Sequence, residues 1–355
     1  MPAYDAFLLV SFGGPEGPDE VMPFLENVTR GRGIPPERLA GVAEHYYAVG
    51  GISPINQQCR DMLAALQADF PAAGLSLPLY WGNRNWSPYL TDTVRTMAAD
   101  GVRRAIAFVT SAYSSYSSCR QYLDDIERAR AAVGPSAPVI DKIRRFFNHP
   151  GFIEPFAVSA EAALATLPAE VRPGAHLVFT AHSIPVAMAD SSGPPGMGGR
   201  YVAELTEAAR LIAERTGGGS HRWTLAYQSR SGPPAQPWLE PDVRDHLAEL
   251  VKAGTNAVVV IPVGFVSDHM EVRHDLDVEA AQCASALGIA FARAATPGTD
   301  PRFASMITEL VRERMAWPAS PGPAIAAPAA LGDIGVPAQT CPADCCRYTR
   351  AAASS

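Results

Sequence analysis

Eight short apolar runs, separated by amphipathic stretches of helical length, constrain the fold of this chain more than any other feature of it. The first half holds Ala6–Phe12, Pro78–Trp81, Arg104–Thr110 and Pro138–Asp141; the second holds His176–His182, Trp223–Gln228, Ala257–Val263 and Gly288–Ala295. A run without polar alternation must be covered on both faces, and the stretches between the runs must supply the covering helices. The pattern therefore predicts βαβ units with parallel strands in two α/β domains. The first is expected over residues 1–155 and the second over 156–300, with a helix from His149 onward carrying the chain across. Residues 301–355 read as a final helix, a linker and a tail. Between Pro318 and Thr340, 5 of 23 residues are Pro and 7 are Ala, a composition suited to a linker and not to a core.

Of the 355 residues, 47% are hydrophobic and 18% charged, enough to bury sizeable cores and too apolar for a disordered chain. The 29 Lys and Arg against 36 Asp and Glu leave a formal charge of -7, the wrong sign for gripping a nucleic-acid backbone. The longest apolar run, Ala257 to Val266, contains Pro262 and Gly264 and is far shorter than the roughly 20 residues that span a bilayer. No transmembrane segment is expected. Since no basic region precedes Ala6–Phe12 and no small-residue cleavage site follows it, the expected location is the cytoplasm.

The first run leads into Phe12-Gly13-Gly14-Pro15-Glu16-Gly17, which fits neither phosphate-loop spacing, and Glu16 would repel a phosphate. It reads as a tight strand-to-helix turn. His176–His182 is more informative: a buried-type strand that ends on a histidine, with Pro185 preventing its continuation. Strand carboxyl ends of open parallel sheets face the ligand crevice, which makes His182 a candidate base; a histidine satisfied by backbone groups carries equal weight. After the run at Ala257, Glu271, Asp275 and Glu279 recur every four residues and would form a drifting stripe on a helix. Such stripes are ordinarily solvated. This one starts at the sheet's carboxyl edge, where Ser267, Asp268 and His269 add donors and ligands. Oxygen and imidazole ligands that do not cage an ion suit a divalent metal held briefly and passed on.

Six cysteines are too few for a secreted disulfide framework. Cys59 keeps helical register with Ile55, Met62, Leu63 and Leu66 and reads as core, as does Cys283 in a later helix. Cys119 follows the polar run Ser114–Ser118, and Cys341, Cys345 and Cys346 crowd the tail. Together they number four, as needed to ligate a 2Fe-2S cluster or a structural zinc.

Six motifs in order resemble the ferrochelatase family: LLVSFGGP at 8–15, GGISP at 50–54, YSSY at 113–116, TAHSIP at 180–185, YQSRSG at 227–232 with PWL at 237–239, and GFVSDHME at 264–271. The resemblance covers residues 5 to about 315. It implies two Rossmann-like, chelatase-type domains facing across a cleft in which ferrous iron, a substrate, is inserted into a porphyrin. Cys119 and the tail resemble the branch that holds a 2Fe-2S cluster, with Cys119, Cys341, Cys345 and Cys346 as ligands. Their spacing is most similar to actinobacterial enzymes, whose substrate is coproporphyrin III.

Metal insertion strips water from the ion, removes two pyrrole protons and bends the ring, so it needs a near-neutral base and a shaped cleft. By resemblance, His182 takes the family's histidine position as proton acceptor and Glu271 that of its glutamate as metal-side ligand, one on either side of the macrocycle. Asp275 and Glu279 match the acidic line that relays metal or protons away. Phe12, Arg30, Arg32, Ser53 and Tyr116 lie in segments that bind the porphyrin in similar enzymes, guanidinium forks suiting its propionates. Two positions depart from relatives: Phe12 replaces a tyrosine over the metal and so supplies only an apolar wall, and Asn85 stands where others carry a histidine. Alternatives are a protoporphyrin IX ferrochelatase and a non-enzymatic haem carrier, although a carrier needs neither base nor metal route. A monomer is expected, and a downstream haem-pathway enzyme is the protein partner such an activity implies.

Overall fold

The structure is a computed structural model that describes residues 4–31, 33–232, 235–317 and 327–348. All eight apolar runs are strands. The first lobe runs β1 (Ala6–Ser11), α1 (Pro18–Val28), α2 (Pro36–Tyr47), α3 (Ile55–Ala72), β2 (Leu79–Asn83), α4 (Leu90–Ala99), β3 (Arg104–Val109), α5 (Gln121–Val133) and β4 (Val139–Lys142). After α6 (Pro150–Thr166) come β5 (His176–His182), α7 (Val186–Asp190), α8 (Arg200–Ala213), β6 (Trp223–Gln228), α9 (Val243–Lys252) and β7 (Ala257–Ile261). Then follow α10 (Met270–Val272), α11 (Ala281–Ala286), β8 (Ala290–Arg293) and α12 (Pro301–Ala316).

The strands form two four-stranded parallel sheets with the same plan, β2-β1-β3-β4 and β6-β5-β7-β8. In each, the first strand lies inside, the second on one side of it and the third on the other. Successive crossovers therefore leave in opposite directions, and a crevice opens at the carboxyl ends of β1 and β3, and of β5 and β7. Phe7, Leu9 and Phe108 of the first sheet share one hydrophobic core with Leu177, Phe179 and Val259 of the second. Helices α6 and α12 knit that core, α12 packing on α3, α6 and β3. Helices α1 and α2 enclose a small core of their own around Val21, Phe24, Leu25 and Ala43.

Part of the expected linker is docked. The Leu331 N–H donates to the Asn148 carbonyl at 2.8 Å, Arg144 donates to the Ala329 carbonyl at 2.9 Å, and Leu331 and Ile334 pack on the shared core. Composition misled here because the segment bonds through its backbone to Arg144 and Asn148 of the body, which its own composition does not report; residues 318–326 lie outside the described ones. Cys59 is fully buried, whereas Cys283 is only half-buried, a correction to its reading as core. Among the described residues no helix is long and apolar enough to cross a membrane.

Candidate active site

His182 is the last residue of β5, and the chain after β7 bends back beside it, so both stand at the second sheet's crevice. The peptide at His182 is held from several sides. The Ser183 N–H donates to the Gln228 carbonyl at 2.8 Å, the Ser183 hydroxyl to the Leu239 carbonyl at 2.8 Å, and the Tyr201 hydroxyl to the His182 carbonyl at 2.9 Å. The His182 Nδ1 lies 2.5 Å from the Ser183 carbonyl, which assigns an N–H to Nδ1 and turns Nε2 away from the backbone. Nε2 faces Glu271 Oε2 at 3.7 Å.

That distance corrects the expected opposition across a macrocycle. No ring fits into 3.7 Å, and since β5 and β7 are hydrogen-bonded neighbours, the groups at their ends share one wall. The acidic line continues from there along a π-helical turn, Arg273–Ala280. Such a turn is a recurrent feature of functional sites. His274, Asp275 and Glu279 offer ligand atoms within 4.8 Å of one another. Asp275 is held by the Ser229 hydroxyl and by the Gln228 amide at 3.3 Å. Burial, with the charges of Glu271 and Glu279, raises its pKa to about 6. Glu279 sits outermost, 3.4 Å from Arg244. Asp268 is not an available ligand, because Arg293 and Thr296 occupy its carboxylate. Burial holds the His269 pKa below its ordinary value.

The first lobe forms the facing wall. Phe12, just past β1, is 37% exposed, its ring 6.4 Å from Phe24, which lies 6.0 Å from Tyr46 of α2. Burial and the charges of Glu271 and Asp275 push the Tyr46 phenol up, so α2 looks onto the acidic line. On the same helix His45 stacks on His274 at 3.9 Å, and Gln58 of α3 accepts the Asp268 N–H at 2.8 Å. Behind Phe12, Arg84 lies 5.7 Å from its ring and 4.6 Å from that of Tyr122, paired with Asp125. Ser53 is buried against Gly14, where even one added carbon would come within 2.6 Å of it. Tyr116 opens a π-helical turn, Tyr116–Arg120, with its ring 6.4 Å from Tyr348 of the tail. Asn85 is half-buried and its N–H donates to the Phe12 carbonyl at 3.0 Å. Arg30 is exposed; Arg32 lies outside the described residues.

The tail brings its cysteines to Cys119, and all four line one small pocket with Arg120 and Leu123. Cys345 and Cys346 sulfurs are 3.7 Å apart, and the Gly193 N–H donates to Cys346 Sγ at 3.1 Å. Hydrogen bonds from Cys119 and Cys345 hold Cys341 far below an ordinary thiol, and one from Cys345 lowers Cys346, with Arg145 adding positive charge to both. Cys119, Cys345 and Cys346 are buried and Cys341 half-buried; bonding within the set holds Cys341 and Cys346 low and Cys119 and Cys345 high, and an all-sulfur donor set of this kind fits an iron–sulfur cluster. Tyr46, Ser229, Gln228, Tyr201 and Arg145 were not legible as site residues. Ser229 and Gln228 stood in a recognisable motif without a role, and the others meet the site only through packing.

Two matched parallel sheets, with an imidazole and a file of carboxylates at the carboxyl edge of the second, are the arrangement of a metal chelatase. Solved chelatases share the architecture: SirB from Bacillus subtilis with Fe3+ superposes with a TM-score of 0.54 at 13% identity over 87% of this chain and 95% of that one. The sirohydrochlorin chelatase SirB from Bacillus subtilis subspecies spizizenii in complex with cobalt gives 0.51 at 12% identity over 89% and 97%. The ferrochelatase family model matches residues 4–315. Among similar proteins are the coproporphyrin III ferrochelatase of Streptomyces coelicolor, 56% identical over 97% of this chain and 93% of that protein, and that of Nocardia farcinica, 58% identical over 88% and 89%. A ferrochelatase of Rhodopirellula baltica is 52% identical over 98% and 95%. The chain belongs to the ferrochelatase family.

Proposed function

We propose that this protein inserts ferrous iron into coproporphyrin III, giving iron-coproporphyrin for haem synthesis, as a monomeric lyase of the cytoplasm. The observation that carries the chemistry is the imidazole Nε2 of His182 set 3.7 Å from a Glu271 carboxylate at the mouth of the crevice. The choice of porphyrin follows the relatives, several of them named for coproporphyrin III at 54–58% identity. Residues 1–155 and 156–300 act as the two jaws, and 301–355 contribute the last helix and the cysteine tail.

Glu271, about half exposed, meets the hydrated ion and replaces part of its water. His182 accepts pyrrole protons at Nε2 as the metal enters, and Asp275 and Glu279 carry charge outward along the π-helical turn. Two protons leave for one Fe2+, so the porphyrin core stays charge-balanced. Because both groups act from the second lobe, the ring lies against Phe12 and the first lobe, where Ser53, Tyr116 and the Arg30–Arg32 loop are the proposed porphyrin contacts. Cys119, Cys341, Cys345 and Cys346 hold a 2Fe-2S cluster, which when bound adds covalent ties between tail and body.

The test is an anaerobic assay with ferrous iron, run side by side on coproporphyrin III and protoporphyrin IX and followed by the change from free-base to iron-porphyrin absorption. Faster conversion of coproporphyrin III supports the reading. Tight haem binding without turnover would establish a carrier instead, and a preference for protoporphyrin IX would replace the substrate.

A further inference from the structure

The tail is joined to both lobes. On the first it meets Cys119, and Asn148 donates to the Leu331 and Gly335 carbonyls at 3.0 and 2.9 Å. On the second, the Asp333 N–H donates to Glu207 of α8 at 2.7 Å, and Cys346 engages the loop before α8. That last contact is a closed pair: the Cys346 N–H donates to the Gly193 carbonyl at 2.9 Å while the Gly193 N–H donates to the Cys346 sulfur at 3.1 Å. Gly193 adopts a φ of +111°, and a carbon added there would lie 2.6 Å from Arg200 and 2.7 Å from the Met197 carbonyl, so only glycine fits the loop at this point.

Ser192, fully buried, comes next. Its hydroxyl donates to the Ala189 carbonyl at 2.5 Å and accepts the Tyr201 N–H at 2.8 Å. Tyr201, itself buried, donates its hydroxyl to the His182 carbonyl. From Cys346 to His182 every link is a hydrogen bond or a covalent bond: Cys346, Gly193, Ser192, Tyr201, His182. One turn along α8, Glu204 accepts from the N–H and hydroxyl of Ser114 at 2.7 and 2.8 Å and pairs with Arg145 at 3.6 Å. Arg145 is the buried cation whose charge the cysteines feel. Helix α8 is thus fixed by Ser114, five residues before Cys119, and by Arg145 at the same end from which it holds His182.

We propose that Tyr201 is a positioning residue for His182 and that the cysteine tail, through Cys346 and the Ser192–Gly193 loop, sets the position it holds. This rests on His182 being the proton acceptor. A base that must face an incoming ring loses rate steeply when displaced by about 1 Å, and the other anchors of this peptide, the Gln228 and Leu239 carbonyls, belong to β6 and the loop after it. Tyr201 is the anchor that Cys346 reaches through an unbroken series of bonds, while the tail meets the loop after β6 separately, where the Gln236 amide donates to the Tyr348 hydroxyl at 3.1 Å.

The experiment uses the full-length protein purified anaerobically, with Tyr201→Phe, Cys346→Ser, Ser192→Ala and the doubles of each with Tyr201→Phe. With ferrous iron and coproporphyrin III, Tyr201→Phe should lower kcat about 10-fold, one buried hydrogen bond's worth, without changing either KM. Cys346→Ser and Ser192→Ala should also lower kcat, and each double should be no slower than its slower single, since residues in one chain of contacts are not additive. Independently of activity, amide exchange at residues 181–183 and 190–201 should accelerate in Cys346→Ser and in Ser192→Ala. Ser192→Ala leaves all four thiols in place, so it decides the matter if Cys346→Ser does not fold. Losses that multiply, unchanged exchange at 181–183, or parent kcat in Tyr201→Phe would overturn the proposal. His182→Ala separates the two levels: parent turnover in that variant removes the role of His182 itself, whereas loss there with parent turnover in Tyr201→Phe removes only the positioning.

Discussion

Asp275→Asn is expected to stabilise the protein and slow it. The Asp275 side chain is only 16% exposed and lies between Glu271 and Glu279. Burial, the larger cause, and those two charges raise its pKa from an ordinary 3.8 to about 6. At neutral pH the folded state must therefore hold a carboxylate that it disfavours. The sign follows from proton uptake: a folded pKa above the unfolded one means the folded form binds the proton more tightly, so stability falls as pH rises through the window from about 4 to 6. The full penalty is about 3 kcal/mol at 1.36 kcal/mol per pKa unit, nearly all of it present at pH 7.5, and about half of it at pH 5. Asparagine carries no charge at either pH and can still accept the Ser229 hydroxyl. Urea unfolding of the metal-free proteins should give Asp275→Asn an advantage that roughly doubles from pH 5 to pH 7.5, while anaerobic iron insertion slows. An advantage independent of pH, or none, would refute the claim that this charge is held at a cost; a more stable variant that inserts iron at the parent rate would take Asp275 off the route.

His182→Ala should lower iron insertion by 10²–10⁴-fold while porphyrin still binds, measured by turnover alongside porphyrin fluorescence quenching; retention of the parent rate excludes His182 as the proton acceptor. The purified protein should be red-brown, with its visible absorption lost in Cys119→Ser or Cys346→Ser; a colourless, zinc-containing protein would favour a structural zinc. Glu204→Gln takes away the carboxylate that pairs with the buried Arg145 cation, which keeps Ser114 and the cysteines as neighbours, and should cost about 1–3 kcal/mol in chemical denaturation, a reading contradicted by an unchanged midpoint. Ser229 has a φ of +60°, so Ser229→Gly should be more stable than Ser229→Ala by about 1 kcal/mol; equal midpoints would mean that the backbone there is unstrained.

The strands were legible because each is a continuous apolar run, and a run of that kind has only one economical fate, burial on both faces between helices. His176–His182 and Trp223–Gln228 match their runs residue for residue, and the others differ by a few residues at the ends. His182 was legible as a strand-end histidine and the acidic line as a spacing of four, although its π-helical spiral was not, since nothing local distinguishes it from an α-helical stripe. The docked half of the Pro/Ala-rich segment was misread because its partners, Arg144 and Asn148, lie elsewhere in the chain.

Periodicity along a chain reports which faces a segment must bury, and so the amino-acid order alone determined the eight strands, their parallel sense and the histidine at the carboxyl end of β5. Which strands become neighbours depends on long-range burial that no local spacing encodes. Only the tertiary structure decided that β5 and β7 lie side by side, setting His182 and Glu271 on one wall. Only it brought Cys119 to cysteines more than 200 residues away and the hydroxyl of Tyr201 to the backbone of the histidine it holds.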